Sequence, residues 1–172
     1  MIPKIKNILY TTDLTKNSAY AFRYAVNSAM KHDAKIHILY VLEKLTPSEE
    51  ATLRVFARVS QLEKVREKKK TQQMNMIKKR LSKFAKLELK DNPAALKRVA
   101  SISVVDGNPA DEILKRADDP QFDIVVMGTH GKGWLRHTFM GSVCEKVLRR
   151  IRKPVFVIPL PEEDTDISFN TI

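Results

Sequence analysis

Glycine is placed unevenly along this chain. Four of its five glycines, Gly128, Gly131, Gly133 and Gly141, fall within fourteen residues. The pattern of a buried strand, Ile-Val-Val-Met, precedes them, and a helical pattern follows from Val143. Glycine costs backbone entropy, so a chain that uses it sparingly places it where the backbone needs a positive φ or a close approach. A glycine-rich connection from a strand to a helix therefore indicates a phosphate cradle of backbone N–H groups.

The bulk composition fits one globular domain. The chain has 172 residues, of which 43% are apolar and 30% charged, which argues against wholesale disorder. No apolar run approaches the ~20 residues of a membrane span, and no apolar signal-peptide core precedes the first strand pattern. The single cysteine, Cys144, excludes an internal disulfide and leads us to expect a reducing cytoplasm. Its helical position favours a small buried residue over a reactive thiol.

Strand and helix patterns alternate as β-α-β-α-β-α-β-α-β. Alternation of this kind predicts the α/β class, with a single doubly wound, five-stranded parallel sheet, helices on both faces and a Rossmann-like architecture. We expect one domain over residues 1–160 and a frayed acidic tail over 161–172. The predicted strands are 7–12, 35–42, 98–105, 123–127 and 154–158; the predicted helices are 16–31, 47–89, 109–117 and 142–152.

Most of the net charge of +11 belongs to one basic segment, residues 44–98. This segment has 16 Lys and Arg against 6 Asp and Glu, whereas the rest of the chain has 15 against 14. A break in its helix near Lys68–Thr71 is an open alternative. Phe56 and Phe84 fall on the apolar stripe and not among the lysines, whereas nucleic-acid stacking needs exposed rings. A solvated face or a contact to an acidic partner is therefore favoured over nucleic-acid binding, which stays an alternative.

Polar and glycine residues follow two predicted strands, at Thr12–Asp13 and from Gly128 onward. Ligands of doubly wound folds bind beyond the carboxyl ends of strands, where the strand order reverses. Ser142 and Glu145 have the spacing of a capping box. The alternative is that Gly141, Ser142 and the N–H groups of Val143 bind an anion at the helix N-terminus. The P-loop and dinucleotide patterns do not fit either connection.

The spacing Gly-x2-Gly-x9-Gly-Ser, formed by Gly128, Gly131, Gly141 and Ser142, resembles the nucleotide-binding signature of the universal stress protein (UspA) family. The opening strand Ile8–Asp13 and the turn Asp106–Ala110 also resemble that family, and the likeness covers about residues 3–160. Thr11 departs from it, because many ATP-binding members have proline there.

This resemblance implies a sheet of order 3-2-1-4-5 and a homodimer through the fifth strand, Pro154 to Ile158. It also implies an ATP-binding regulatory module, a nucleotide-dependent dimeric switch in the stress response, with Mg²⁺ or Mn²⁺ held through the phosphates. Asp13 and the backbone at Val41 would face the adenine, and Thr12 and Met127 would line the base and ribose region. The residues around ribose and phosphates would be Gly128, His130, Gly131, Gly141, Ser142 and Val143.

An enzyme, a slow ATPase or phosphotransferase, is the alternative to a binding module. Phosphoryl transfer needs a positioned base and metal ligands, and residues 128–142 contain no Asp or Glu. His130 and His137 are the candidate bases there. The four histidines and Cys144 show no metal-ligand spacing. The sequence thus favours a binding module, with a protein partner that it does not identify.

Overall fold

The computed structural model describes residues 2–43, 59–129 and 140–159. The strands are β1 (Asn7–Thr12), β2 (Lys35–Glu43), β3 (Val99–Gly107), β4 (Ile124–Gly128) and β5 (Val155–Ile158). The helices are α1 (Lys16–His32), α2 (Val59–Glu88), α3 (Pro93–Leu96), α4 (Pro109–Ala117) and α5 (Ser142–Leu148). None of these helices is both long and apolar enough to cross a bilayer.

All five strands pair in parallel, in the order β3-β2-β1-β4-β5. This confirms the predicted sheet. Alternate residues of β1 enter two separate cores: Ile8 and Tyr10 pack with α1 and α2, whereas Leu9 packs with α4 and α5. A parallel sheet covered on both faces makes its strands nearly continuous apolar runs. The fold was predicted from the alternation of strand and helix patterns, and these apolar strands agree with it.

Helix α1 begins at Lys16, as predicted, with Thr15 as its N-cap, and it buries a face of small residues. The Thr15 side chain accepts from the N–H of Ser18, and the Ser18 hydroxyl accepts from the N–H of Thr15 in return. Small side chains let the helix axis approach the sheet closely. Ala25 is fully buried, whereas the neighbouring Tyr24 is exposed.

Helix α2 continues without interruption across residues 68–71, so the two-helix alternative is wrong. Its predicted start at Pro47 lies outside the described residues. Ile77, Leu81 and Phe84 are buried against the sheet. The Lys70 ammonium lies 2.8 Å from the Asp106 carboxylate on β3, so the charged stretch of the helix contacts the sheet.

Two boundaries differ from the sequence expectations. Asn92 and Pro93, which lie between the predicted helix 47–89 and the predicted strand 98–105, begin the short helix α3. The Asn92 side chain accepts from the N–H of Ala95 at 3.0 Å. Proline at the first helical position is a recognised start signal. Helix α5 ends at Leu148 and not at Arg152. The tail 161–172 lies outside the described residues, so the domain division stays a prediction.

Candidate functional site

The sheet opens between β1 and β4, at the point where the strand order reverses. The paired register of these strands runs from Ile8 with Ile124 to Tyr10 with Val126. Each strand continues for two more residues, to Thr12 and Gly128. The other side of β1 stays paired with β2 up to Thr12. The carboxyl ends of β1 and β4 therefore border a crevice, the usual ligand position in a doubly wound sheet.

Two hydrogen bonds from Thr15 orient the Asp13 carboxylate in the turn after β1. The Asp13 carboxylate accepts from the N–H of Thr15 at 3.0 Å and from its hydroxyl at 2.6 Å. Thr12 Oγ1 accepts from the N–H of Leu14 at 3.1 Å and donates to Ser18 Oγ at 2.9 Å. Leu14 has a φ of 63°, a left-handed conformation that is strained for a bulky residue. These hydrogen bonds therefore stabilise a turn with a left-handed residue, although the turn contains no glycine.

Gly128 is needed for close packing with α1. A Cβ at this position would lie 2.9 Å from Nδ2 and 3.0 Å from Cγ of Asn17. Asn17 is only 4% exposed, and its Nδ2 donates to Thr129 Oγ1 at 3.5 Å. Sequence reasoning missed Asn17. The available signal was an amide side chain beside the N-cap of a helix that packs on the sheet.

The connection between β4 and α5 is closed at its base. The N–H of Gly141 donates to the carbonyl oxygen of Thr129 at 2.7 Å, and the N–H of Thr129 donates to that of Ile158 at 3.0 Å. The first and third glycines of the motif therefore lie at the same end of the sheet. His130 and Gly131 lie outside the described residues.

The predicted capping box at α5 is wrong. Gly141 is the N-cap, with no side-chain cap hydrogen bond, and Ser142 is already the first helical residue. The backbone N–H of Glu145 donates to the carbonyl oxygen of Gly141 at 3.0 Å, while the Glu145 carboxylate pairs with Arg149 at 2.6 Å. The box fails because the helix begins one residue before the position that it requires. Its first N–H groups therefore receive no cap from a side chain.

The apolar candidates converge on the α4/α5 face of the sheet. Met127 is buried in this core, and Val41 and Val143 pack against it. Val41 directly follows Tyr40, which is the register partner of Thr12. The structure therefore brings residues of β1, β2, β4 and α5 to one end of the sheet.

Cys144, the third residue of α5, is buried. Burial raises the pKa of its thiol to about 11, so the thiol stays protonated at neutral pH. The expected small buried residue is confirmed. Among residues 2–43, 59–129 and 140–159, no group of three His, Cys, Asp or Glu side chains is arranged to hold a metal ion.

Comparison with known proteins identifies the family. Residues 4–159 match the sequence model of the Universal stress protein family. The chain belongs to the universal stress protein family. Its strand order is thus that of a universal stress protein domain.

One curated relative and two solved structures are similar to this chain. Universal stress protein MJ0577 of Methanocaldococcus jannaschii is 30% identical over 157 residues, which cover 89% of this chain and 94% of the relative. A solved structure of protein MJ0577 superposes with a TM-score of 0.69 and 27% identity, over 94% of this chain and 100% of that one. A universal stress protein solved in complex with cAMP has a TM-score of 0.50 at 18% identity, over 91% and 98% of the two chains, which shows the fold alone.

Proposed function

We propose that this universal stress protein domain is an ATP-binding regulatory module that acts as a nucleotide-dependent dimeric switch in the stress response. The observation that carries the proposal is the closure of the glycine motif by the Gly141–Thr129 hydrogen bond. This closure lies at the crevice between β1 and β4. A nucleotide there would meet two strand ends of opposite electrostatic character.

The β1 end suits the nucleoside. The Asp13 carboxylate is half-buried and oriented by Thr15. A carboxylate accepts hydrogen bonds from an adenine amino group or a ribose hydroxyl, but it repels phosphate. In the proposed complex the adenine faces Asp13 and the backbone at Val41, and Thr12 and Met127 line the base and ribose.

The α5 end suits the phosphates. Its first N–H groups have no side-chain cap, and the helix dipole adds positive potential at this end. In the proposed complex, ribose and phosphates are held by Gly128, His130, Gly131, Gly141, Ser142 and Val143. A Mg²⁺ or Mn²⁺ ion would be held through the phosphates.

The dimer is proposed through β5. This strand ends the sheet order, so one side of its backbone is an edge available for pairing. Phe156 on β5 is 42% exposed, an apolar side chain that a second copy would cover. The proposal includes a reducing cytoplasmic location, supported by the single, buried Cys144.

Mass spectrometry of nucleotide released from protein purified without added ligand tests the proposal. Calorimetric titration with ATP and with cAMP then identifies the ligand, and we expect ATP to bind more tightly. The paired change Gly141→Val with Ser142→Ala should abolish ATP binding, since both residues belong to the proposed phosphate end. Gly133→Ala is the matched control, because Gly133 lies outside the fitted spacing and is expected to tolerate substitution best of the four glycines.

Retained ATP affinity in the paired variant would overturn the proposal. Single-turnover assays separate the enzyme alternative from a binding module. Hydrolysis on the scale of ~1 s⁻¹, lost on His130→Ala, would assign an ATPase instead.

A further inference from the structure

A cavity lies over the amino-terminal half and the middle of the strands. It has a volume of about 270 Å³ and opens on the α4 face of the sheet. Its polar lining includes His37 on β2, Ser101 and Ser103 on β3, and Arg116 in the last turn of α4. Phe122, which is buried, contributes an aromatic surface. The residues proposed for nucleotide binding do not line this cavity.

Hydrogen bonds hold the His37 ring across three strands. Nδ1 lies 2.9 Å from Ser101 Oγ, and Nε2 lies 3.1 Å from Asn7 Oδ1. A carbonyl oxygen only accepts, so Nε2 carries a hydrogen and Nδ1 of the neutral ring accepts from the Ser101 hydroxyl. When the ring gains a proton, Nδ1 donates to Ser101 Oγ instead, and the hydroxyl hydrogen of Ser101 is released to donate elsewhere.

The surroundings of the imidazole are positive. Burial lowers the pKa of His37, and the charges of Lys35 on β2 and Arg116 on α4 lower it further. The nearby Asp119 carboxylate is held by the backbone N–H of Gln121 at 3.0 Å and by its side chain at 2.6 Å.

Arg116 is half-buried. Its charge also acts on Asp119: the pKa of that carboxyl is lowered first by the backbone N–H of Gln121 and further by the charges of Arg116 and Lys153. A guanidinium presents a planar fork of donors that matches a carboxylate. A partly desolvated cation that lines a cavity favours an anionic occupant.

We propose that this cavity binds a small organic carboxylate, whose oxygens contact Arg116 and the hydroxyls of Ser101 and Ser103 and whose carbon body contacts Phe122. The apolar surface favours an organic acid over an inorganic anion. The volume lies just below the ~300–1,000 Å³ range of ligand pockets, which restricts the occupant to a small molecule.

Binding of the carboxylate is coupled to protonation of His37. A negative charge beside Arg116 and Lys35 offsets the positive potential at the ring, so the bound state holds the His37 proton more tightly. Protonation also frees the Ser101 hydroxyl to donate to the ligand. By linkage, affinity rises as the pH falls through the titration of His37.

Benzoate is a suitable probe, with neutral benzamide and inorganic phosphate as the comparison ligands. Nitrogen-15 NMR of the His37 ring, followed through a pH titration, should show a raised pKa in the presence of benzoate. Calorimetry should show that benzamide and phosphate bind at least about tenfold more weakly, since each lacks one of the two features that the site recognises.

Two variants locate the site. Arg116→Gln should weaken benzoate binding about tenfold or more. Lys115→Gln, which removes an exposed charge from the same helical turn, should leave it unchanged. Ser103→Val keeps every charge but adds bulk to the lining, and should also weaken binding.

Three results would overturn the proposal: no benzoate binding, equal weakening by Lys115→Gln and Arg116→Gln, or an unchanged His37 pKa when benzoate is bound. Phosphate binding as tight as benzoate would also overturn it, because the aromatic surface would then contribute nothing.

Discussion

The N–H of Gly141 donates a hydrogen bond of 2.7 Å to the carbonyl oxygen of Thr129. Thr129 immediately follows β4 and Gly141 immediately precedes α5. One backbone contact therefore closes the connection that contains the middle of the glycine motif. It holds the helix start beside the strand end, where the proposed phosphate site needs it.

Replacing Gly141 with proline tests this contact directly. Gly141 has φ −72° and ψ 152°, which proline adopts readily. The change removes the N–H donor and puts the proline Cδ in the place of its hydrogen, so the Thr129 carbonyl loses this hydrogen bond. We expect the free energy of unfolding to fall by about 1–3 kcal/mol, measured by chemical denaturation.

ATP affinity should fall together with stability in Gly141→Pro, because the helix start loses its anchor. Gly141→Ala keeps the N–H and is the matched control for backbone stiffness. If Gly141→Pro and Gly141→Ala proved equally stable, the closing hydrogen bond would have no measurable role.

Gly128→Ala should destabilise the protein through a clash with Asn17. The added Cβ would lie 2.9 Å from Asn17 Nδ2, closer than packed atoms sit. Overpacking of this kind costs about 1–3 kcal/mol, measurable as a lower midpoint of denaturation. In the double variant Asn17→Ala with Gly128→Ala the clash is gone, so most of the loss should be recovered. Additive losses would rule out this explanation of the glycine.

Phe156→Glu should dissociate the proposed dimer. It places a charge at an exposed position of the edge strand, where a second copy would have to bury it. Sedimentation velocity should show dimers for the unmodified protein and monomers for the variant. Met76→Glu changes another exposed apolar side chain, on α2, and should stay dimeric. A dimeric Phe156→Glu protein would place the interface elsewhere.

Stability should depend on pH through His37. Its pKa in the folded protein is lowered below 6.5, chiefly by burial. As the pH falls below 6.5, the unfolded chain binds a proton before the folded protein does, so stability is lost in that window. The free energy of unfolding should differ less between pH 7 and pH 5 for His37→Gln than for the unmodified protein, as measured by chemical denaturation. His32→Gln changes an exposed histidine and should keep the full difference.

The sheet could be predicted because it depends on local patterns. Strands such as Asn7–Thr12 are short apolar runs, and the helices between them have caps such as Thr15 that act within a few residues. The family signature then supplied the strand order. The expected cap at Ser142 was wrong, because the helix starts one residue earlier. A shift of one residue changes the partner of every N–H group in the first turn.

Other features depend on residues far apart in the chain. Asn17 and Gly128 are 111 positions apart, and only packing of α1 on β4 makes the glycine necessary. The Asn7–His37–Ser101 cluster likewise exists because parallel register sets three strands side by side. The left-handed Leu14 is held by hydrogen bonds to side chains of its own turn, at a residue that gives no such signal.

By itself the sequence determined the doubly wound class, the parallel sheet and the two strand ends that carry the candidate nucleotide residues. Periodicity, capping and glycine spacing act over short distances, and residue order records them. Only the tertiary structure decided how the motif is closed at Thr129 and Gly141, why Gly128 has no side chain, and that Arg116 and His37 line one cavity. These depend on the approach of elements distant in the chain, which close packing sets to within a few tenths of an ångström.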